Sequence, residues 1–167
     1  ALAAVIARGF AADGAVLVDA ADVAQAAARG ALLWDVRAAA EYRKGHIPGA
    51  VTIGDAGKVL RDENSEDFVA TSRIEAMLGE AGIDPSREVI VYGNRGSAVA
   101  NFGRYALHYF GGRNVRVYHD GVEGWSAAGK ALATEETRLP PVKLNLVANA
   151  AATAGTQGQE RDREPAR

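Results

Sequence analysis

The feature that most constrains this chain is a series of five short apolar runs, each followed by an amphipathic or polar stretch. The runs span residues 15–18, 31–36, 50–53, 88–92 and 114–118. Short strands that alternate with helical patterns are typical of a parallel sheet, so the order predicts an α/β fold. No apolar run approaches the ~20 residues needed to cross a bilayer, and we therefore expect no membrane span.

The helical stretches between these runs end at glycines. A glycine just after the last periodic residue is a common helix stop, because it adopts the left-handed conformation at little cost. We expect a further short helix over 124–129, and a loop over 55–67, where the sequence is polar and punctuated. The longer predicted helices span residues 19–29, 38–44, 71–81 and 97–110.

The sequence divides into three parts. Residues 1–14 form an N-terminal segment, residues 15–133 the predicted domain, and residues 134–167 a linker or disordered C-terminal tail. Within the last part, Pro140 and Pro141 interrupt any periodicity, and residues 143–147 form at most one extended segment. Residues 151–167 contain almost nothing to bury, so we expect them to lack regular packing.

Composition excludes several classes of function. With no cysteine in 167 residues, this chain can hold no disulfide, no thiolate metal ligand and no cysteine nucleophile. A net charge of −2 gives no general attraction to phosphate backbones, so we expect neither nucleic acid nor membrane as a partner. The three histidines are scattered without ligand spacing, and we expect no metal and no cofactor. The compartment stays open between periplasm, slightly favoured, and cytoplasm.

Four stretches carry a family resemblance: LLWDVRAAAEY at 32–42, GHIPGAVTI at 45–53, VIVYGNRGS at 89–97 and VRVYHDGVEGW at 115–125. In this order and spacing the chain resembles the rhodanese (thiosulfate sulfurtransferase) family over residues 15–132. The resemblance implies a rhodanese-like sandwich, with a central five-stranded parallel sheet and helices on both faces. It also implies transfer of sulfane sulfur from donors such as thiosulfate to thiol or cyanide acceptors.

Several residues in these stretches are predicted to be structural rather than catalytic. Asp35 and Arg37 end a buried strand, where a charged pair needs partners, so we expect them to tie down the following loop. His46 lies in a Gly/Pro-rich turn and, by the resemblance, is a signature of the fold. Gly121 and Trp125 are interpreted as turn and packing residues.

The loop that should carry the chemistry consists of Gly93, Asn94, Arg95, Gly96, Ser97 and Ala98. It joins the carboxyl end of a strand to a helix, where open α/β sheets bind their ligands. In the family this loop surrounds the sulfur of a cysteine that directly follows the strand. Here the strand pattern 89–92 is present, but Gly93 stands in the cysteine's place. Glycine can neither attack nor carry a persulfide, so we expect this chain by itself to be inactive.

Two interpretations of the loop stay open. In the first, Arg95, the loop amides and the helix end still bind a small oxyanion such as thiosulfate or sulfate. In the second, the loop is only a tight turn, in which Gly93 and Gly96 have positive φ and Arg95 is solvated. Ser97 is the nearby hydroxyl, and without a histidine dyad we expect it to cap the next helix rather than react.

The resemblance suggests three functional hypotheses. In the first, the chain is the non-catalytic half of a tandem thiosulfate sulfurtransferase whose partner is a second rhodanese domain; residues 136–147 resemble the linker in such proteins. The alternative is a stand-alone regulatory module that binds an anion or a protein, with no enzymatic activity. A phosphatase-like relative is the third, but such enzymes need a cysteine and a longer loop that ends in arginine.

Overall fold

A parallel sheet with helices in its connections forms the centre of the chain, as the alternating pattern predicts. The computed structural model describes residues 16–65 and 67–149. The expected N-terminal segment 1–14 and the tail 151–167 lie outside these residues. The elements in chain order are β1 (Leu17–Val18), α1 (Ala20–Ala28), β2 (Leu32–Asp35), α2 (Ala39–Lys44), α3 (Ala56–Val59), α4 (Thr71–Ala81), β3 (Val89–Tyr92), α5 (Ala98–Tyr109), β4 (Val115–Tyr118) and α6 (Gly121–Ala127).

The strand order places β3 in the interior of the sheet. The described strands follow the order β1-β4-β3-β2, and every pairing is parallel. The register aligns Asp35 with Tyr92, Tyr92 with Tyr118 and Tyr118 with Val18, so all four described strands end at the same level. The loop that follows β3 therefore emerges between two neighbouring strand ends, which is where open parallel sheets form ligand sites.

The expected sheet of five strands has four in the described chain. Residues 50–53 were predicted as the fifth strand, but they form only one parallel bridge, between Trp34 and Val51. Asp35 N donates to Val51 O at 2.9 Å, and Val51 N donates to Leu33 O at 2.9 Å. Gly49 and Gly54 on either side have φ of 87° and 88°, so turns take the chain away from β2 after a single register position.

Strand alternation sends side chains to two separate cores. Trp34, Val91 and Val117 face one layer with α3, α4 and α5, whereas Leu33, Ile90 and Tyr92 face the other with α1, α2 and α6. Successive strand residues point to opposite faces, so a strand buried on both faces is apolar throughout. All four residues of β2 and of β3 are buried, and all of them except the ion-paired Asp35 are apolar or aromatic.

Two predicted boundaries differ from the structure. The stretch 55–67 was expected to be a loop, but Asp55 caps the single-turn helix α3 by accepting from Gly57 N at 3.0 Å. One turn gives too little periodicity to detect, and tertiary burial of Ala56 holds it in place. Helix α6 begins at Gly121 rather than at 124, since its first turn lies against the loop after β3.

Residues 134–149, here called the strap, form neither helix nor strand, yet they lie against the domain. Thr137 N donates to the Tyr42 hydroxyl at 3.0 Å, and Val142 N donates to Gly79 O at 2.9 Å. Leu146 N donates to the Glu75 carboxylate at 2.7 Å. A Cβ on Gly79 would lie 2.5 Å from Val142 O, so this glycine inside α4 permits the close approach of the strap.

Candidate functional site

The candidate site is the loop of residues 93–98, between the last residue of β3 and the first turn of α5. Gly93 is buried, whereas Asn94, Arg95 and Gly96 are exposed. Ser97 caps α5: its Oγ accepts from Ala100 N at 3.3 Å, in the role expected from the sequence. The strand and helix therefore fix both ends of the loop, and its middle faces solvent.

Glycine at position 93 is explained by the space around it rather than by its backbone conformation. It is not among the glycines with positive φ, whereas Gly96 has φ of 71°. The expectation of positive φ thus holds at Gly96 but not at Gly93. A Cβ on Gly93 would lie 2.9 Å from Ser97 Oγ, 3.1 Å from Ser97 Cβ and 3.4 Å from Val36 Cγ2. The Ser97 hydroxyl therefore crowds the position that a Cβ at residue 93 would take.

The first turn of α6 braces the loop from the other side. Val122 N donates to Gly93 O at 3.0 Å. Gly121 has φ of 61°, and a Cβ there would lie 2.4 Å from Gly93 O and 2.8 Å from Arg95 N. Only a residue without a side chain allows this contact, so Gly121 positions the loop as well as forming a turn.

The amides in the middle of the loop are already engaged within the protein. Gly96 N donates to His119 O at 2.9 Å, and Ser97 N donates to Asn94 O at 3.1 Å. Arg95 N donates to the carboxylate of Glu123 at 2.8 Å, across 28 residues of sequence. A carboxylate from α6 is thus the acceptor for one of the three loop amides.

Asp35 and Arg37 form a buried ion pair beneath the same edge of the sheet. Arg37 Nη2 lies 2.6 Å from Asp35 Oδ2 and also donates to Gly45 O at 2.8 Å. Burial lowers the pKa of Arg37, but the hydrogen bond and charge of Asp35 outweigh it and raise that pKa overall. The pair joins the end of β2 to the turn after α2, which is the structural role expected for it.

Tyr92, the residue before the loop, is a buried hydrogen-bonding group rather than an acid. Its hydroxyl accepts from Ile47 N at 3.0 Å. Burial raises the pKa of Tyr92 well above its usual value, and the negative charge of Asp35 acts in the same direction. The hydroxyl therefore stays protonated at any physiological pH and anchors the turn that contains His46.

His46 and Trp125 are packing residues. His46 is buried and stacks on the Tyr42 ring with centroids 3.7 Å apart. Its Nδ1 bonds the Tyr42 carbonyl at 2.8 Å, which requires the proton on Nδ1 and leaves Nε2 without a partner. Trp125 donates from its indole nitrogen to Ala131 O at 3.0 Å. The hydrogen bonds described for the two rings go to residues outside the loop, so neither ring is placed to exchange a proton with it.

Charge near the loop is mixed. Burial raises the pKa of Tyr118, Asp120 adds to that rise, and the positive charge of Arg95 opposes it. The Arg95 guanidinium therefore lies within electrostatic reach of the end of β4. The ring of His119 approaches Gly96: a Cβ there would lie 3.9 Å from His119 Cε1.

A cleft of about 450 Å³ opens between α2 and α6, and Glu123, which bonds Arg95 N, lies on its wall. Two positive and two negative side chains line it, so it carries no strong net charge. Lys44 lies 2.7 Å from Glu41, and Arg37 pairs with Asp35. Three of the four charged side chains that line the cleft are therefore already in ion pairs. The lining comes from Arg37, Glu41 and Lys44 on one side and from Val122, Glu123 and Ser126 on the other.

The arrangement supplies an ordered loop without a nucleophile. Within residues 16–65 and 67–149, no group of three or more His, Asp or Glu side chains could hold a metal ion. In the same part of the chain, no helix is long and apolar enough to cross a membrane. The loop has three amides bonded within the protein and one exposed arginine, and the cleft lies on the other side of Glu123.

Sequence reasoning identified the loop but missed two residues that shape it. Glu123 was not singled out, and Gly121 was interpreted only as a turn residue. Both act through contacts with residues 28 positions away, from Glu123 to Arg95 and from Gly121 to Gly93. No local pattern signals a contact of that kind; only the parallel order of β3 and β4, with α6 following β4, brings them together.

Comparison with known proteins gives one family. The model of the rhodanese-like domain matches residues 19–128. The chain is 30% identical over 105 residues to the sulfur carrier protein TtuD of Thermus thermophilus, an alignment that covers 63% of this chain and 36% of that protein. It is 34% identical over 86 residues to a thiosulfate sulfurtransferase of Corynebacterium glutamicum, covering 52% of this chain and 28% of that protein. The chain therefore spans about a third of the length of these relatives.

Solved structures give the same fold. The crystal structure of SseA from Escherichia coli, a 3-mercaptopyruvate sulfotransferase, superposes with a TM-score of 0.72 at 24% identity. The match covers 82% of this chain and 57% of that one.

Proposed function

Because this chain belongs to the rhodanese-like domain family, we propose that it is the non-catalytic rhodanese domain of a tandem thiosulfate sulfurtransferase. A second domain, which carries the cysteine, would hold the sulfur. Relatives about three times the aligned length, some of them thiosulfate sulfurtransferases, support a larger protein. The observation that carries the proposal is buried Gly93, with the Ser97 hydroxyl filling the space of a nucleophile's side chain.

The absence of a thiol explains why this domain would need a partner. A persulfide requires a sulfur atom on the enzyme, and the chain has no cysteine. The loop keeps the length that the family resemblance implies, and α6 still packs against it. Both features support a domain that keeps the fold but lacks the chemistry. The alternative, a stand-alone module that binds an anion or a protein, uses the same loop but needs no second domain.

The first experiment restores the nucleophile. Gly93→Cys alone should be strained, because its Cβ would contact Ser97 Oγ at 2.9 Å. Gly93→Cys/Ser97→Gly removes that contact, and glycine is tolerated at an N-cap at a cost of a few tenths of a kcal/mol, ~0.3. We expect a cysteine pKa below the free value of ~8.5 in the double variant, since the amino-terminal end of α5 and the positive charge of Arg95 favour the thiolate.

The readouts are thiol pKa by pH-dependent alkylation, and persulfide formation by intact mass after addition of thiosulfate. The unmodified chain and Ser97→Gly are the controls and should transfer no sulfur above background. Turnover by the unmodified chain comparable to that of a cysteine-bearing relative would refute the inactive assignment. A double variant with an unshifted thiol and no persulfide would mean that the loop is only a turn.

The tandem part is tested on the whole protein. The intact mass and the complete reading frame of the native protein should reveal a second rhodanese domain with a Tyr-Cys-x-x-Gly pattern, and thiosulfate should label that cysteine. A native protein without such a domain would instead favour the stand-alone module.

A further inference from the structure

The carboxylate of Glu123 contacts the loop in the way that a bound anion would. Glu123 is the third residue of α6, and its Oε2 accepts from Arg95 N at 2.8 Å. A carboxylate that accepts from a backbone amide forms a charge-assisted hydrogen bond, which is stronger than one between neutral groups. The same bond is what an oxyanion from solution would make with this amide.

We propose that Glu123 is an internal anion for this loop: its carboxylate holds the Arg95 amide in place of a free oxyanion and keeps external anions out. The inference rests on the proposed function, because it takes the loop to be the family's active-site loop without its nucleophile. It adds the residue that determines what the loop accepts.

Two observations support an occupied loop rather than an open one. The neighbouring amides of Gly96 and Ser97 are bonded to His119 O and Asn94 O, so the Arg95 amide is the member of this trio that meets a charged group. Glu123 also lines the 450 Å³ cleft between α2 and α6. Its negative charge therefore opposes an external anion that approaches the Arg95 amide.

The position of Glu123 is fixed by the backbone around it. Gly121 lets α6 contact the loop directly, and Val122 N bonds Gly93 O at 3.0 Å. These two contacts set the distance between the first turn of α6 and Arg95, so the glutamate needs little side-chain reorganisation to reach the amide. The negative charge of Glu123 also interacts favourably with the amino-terminal end of α6. That interaction alone would not require the contact with Arg95.

The experiment compares the unmodified 167-residue chain with Glu123→Gln and Glu41→Gln. Glu41 lines the same cleft and pairs with Lys44, so Glu41→Gln removes the same charge without touching the loop. Each protein is titrated with sodium thiosulfate at constant ionic strength and followed by the amide shifts of residues 94–98 in NMR spectra. Gly93 is kept throughout, so the result is independent of whether sulfur transfer can be restored.

We expect Glu123→Gln to bind thiosulfate at least about ten-fold more tightly than the other two proteins, because one negative charge is removed and the neutral glutamine oxygen holds the Arg95 amide more weakly than the carboxylate does. The largest shift changes should centre on Arg95. Equal gains in Glu123→Gln and Glu41→Gln would reduce the effect to general electrostatics and overturn the proposal. No gain in Glu123→Gln would overturn it as well.

A second measurement does not depend on any variant. In the unmodified chain, the Arg95 amide should exchange its hydrogen slowly although it is exposed, because the carboxylate protects it. Exchange as fast as that of an unprotected surface amide would show that Glu123 does not hold the loop in solution.

Discussion

At the scale of single residues, three glycines shape the loop in different ways. Gly93 leaves space for the Ser97 hydroxyl, Gly96 adopts positive φ, and Gly121 combines positive φ with direct contact to the loop backbone. Glycine's missing Cβ is thus used for volume at one position and for backbone conformation at another. The sequence suggested the conformational role for both loop glycines, and it is correct for Gly96 alone.

The first prediction concerns Gly121. In Gly121→Ala the left-handed conformation costs about 1–2 kcal/mol, and the contact with Gly93 O at 2.4 Å adds an overpacking cost of about 1–3 kcal/mol. Gly129→Ala is the matched control, because Gly129 has φ of 76° and no atom within 4 Å of its Cβ position. Urea unfolding should therefore show a clearly larger loss for Gly121→Ala. Equal losses would mean that α6 does not pack on the loop as described.

At the scale of elements, an ion-pair junction joins three of them at the amino-terminal edge of the sheet. Glu88, which precedes β3, bonds Arg29 at the end of α1 and Arg116 in β4. Arg29 Nε lies 2.9 Å from Glu88 Oε2. The hydrogen bond from Arg29 is the main cause of a lowered pKa at Glu88; the charge of Arg29 and the bond and charge of Arg116 act in the same direction, and partial burial opposes them.

The second prediction is the pH dependence of this junction. Because the folded pKa of Glu88 lies below the unfolded value of ~4.3, its stabilisation is fully present above that pH and is lost as pH falls through the folded pKa. Glu88→Gln should therefore lower the free energy of unfolding at pH 7 by about 1 kcal/mol, with a smaller difference below pH ~4. Urea denaturation of both proteins at a series of pH values measures the difference in the free energy of unfolding. A difference between the two proteins that is independent of pH would exclude Glu88 as the titrating group.

At the scale of the whole molecule, the strap changes where the folded unit ends. The sequence placed a linker or tail from residue 134, on the basis of two prolines and lost periodicity. In the structure, residues up to 149 contact α4 and α5, and Leu139, Leu144 and Leu146 pack partly buried against the core. Hydrogen bonds from Val142 and Leu146 to α4 fix the strap without any regular secondary structure.

The third prediction tests the strap. A chain that ends after residue 133 should be less stable than one that ends after residue 149 by about 2–3 kcal/mol, because three half-buried leucines are lost. Thermal or urea unfolding of the two proteins under the same conditions gives the comparison. Identical midpoints would show that the strap adds nothing to the fold and is only a linker.

The sequence by itself determined the parts of this protein that depend on local contacts. The largely apolar runs at 31–36 and 88–92 identified buried strands, and Gly30 and Gly82 marked the ends of helices. Such signals arise from neighbours within about four residues, which any reader of the sequence can see. The absence of cysteine is likewise visible in the sequence alone.

Only the tertiary structure decided how distant segments meet. It reduced 50–53 to a single bridge, because turns at Gly49 and Gly54 limit its contact with β2. It also brought Gly121 and Glu123 onto a loop 28 residues earlier in the chain. These outcomes depend on strand order and register, which follow from the packing of the whole sheet and leave no periodic trace in the residues that make the contact.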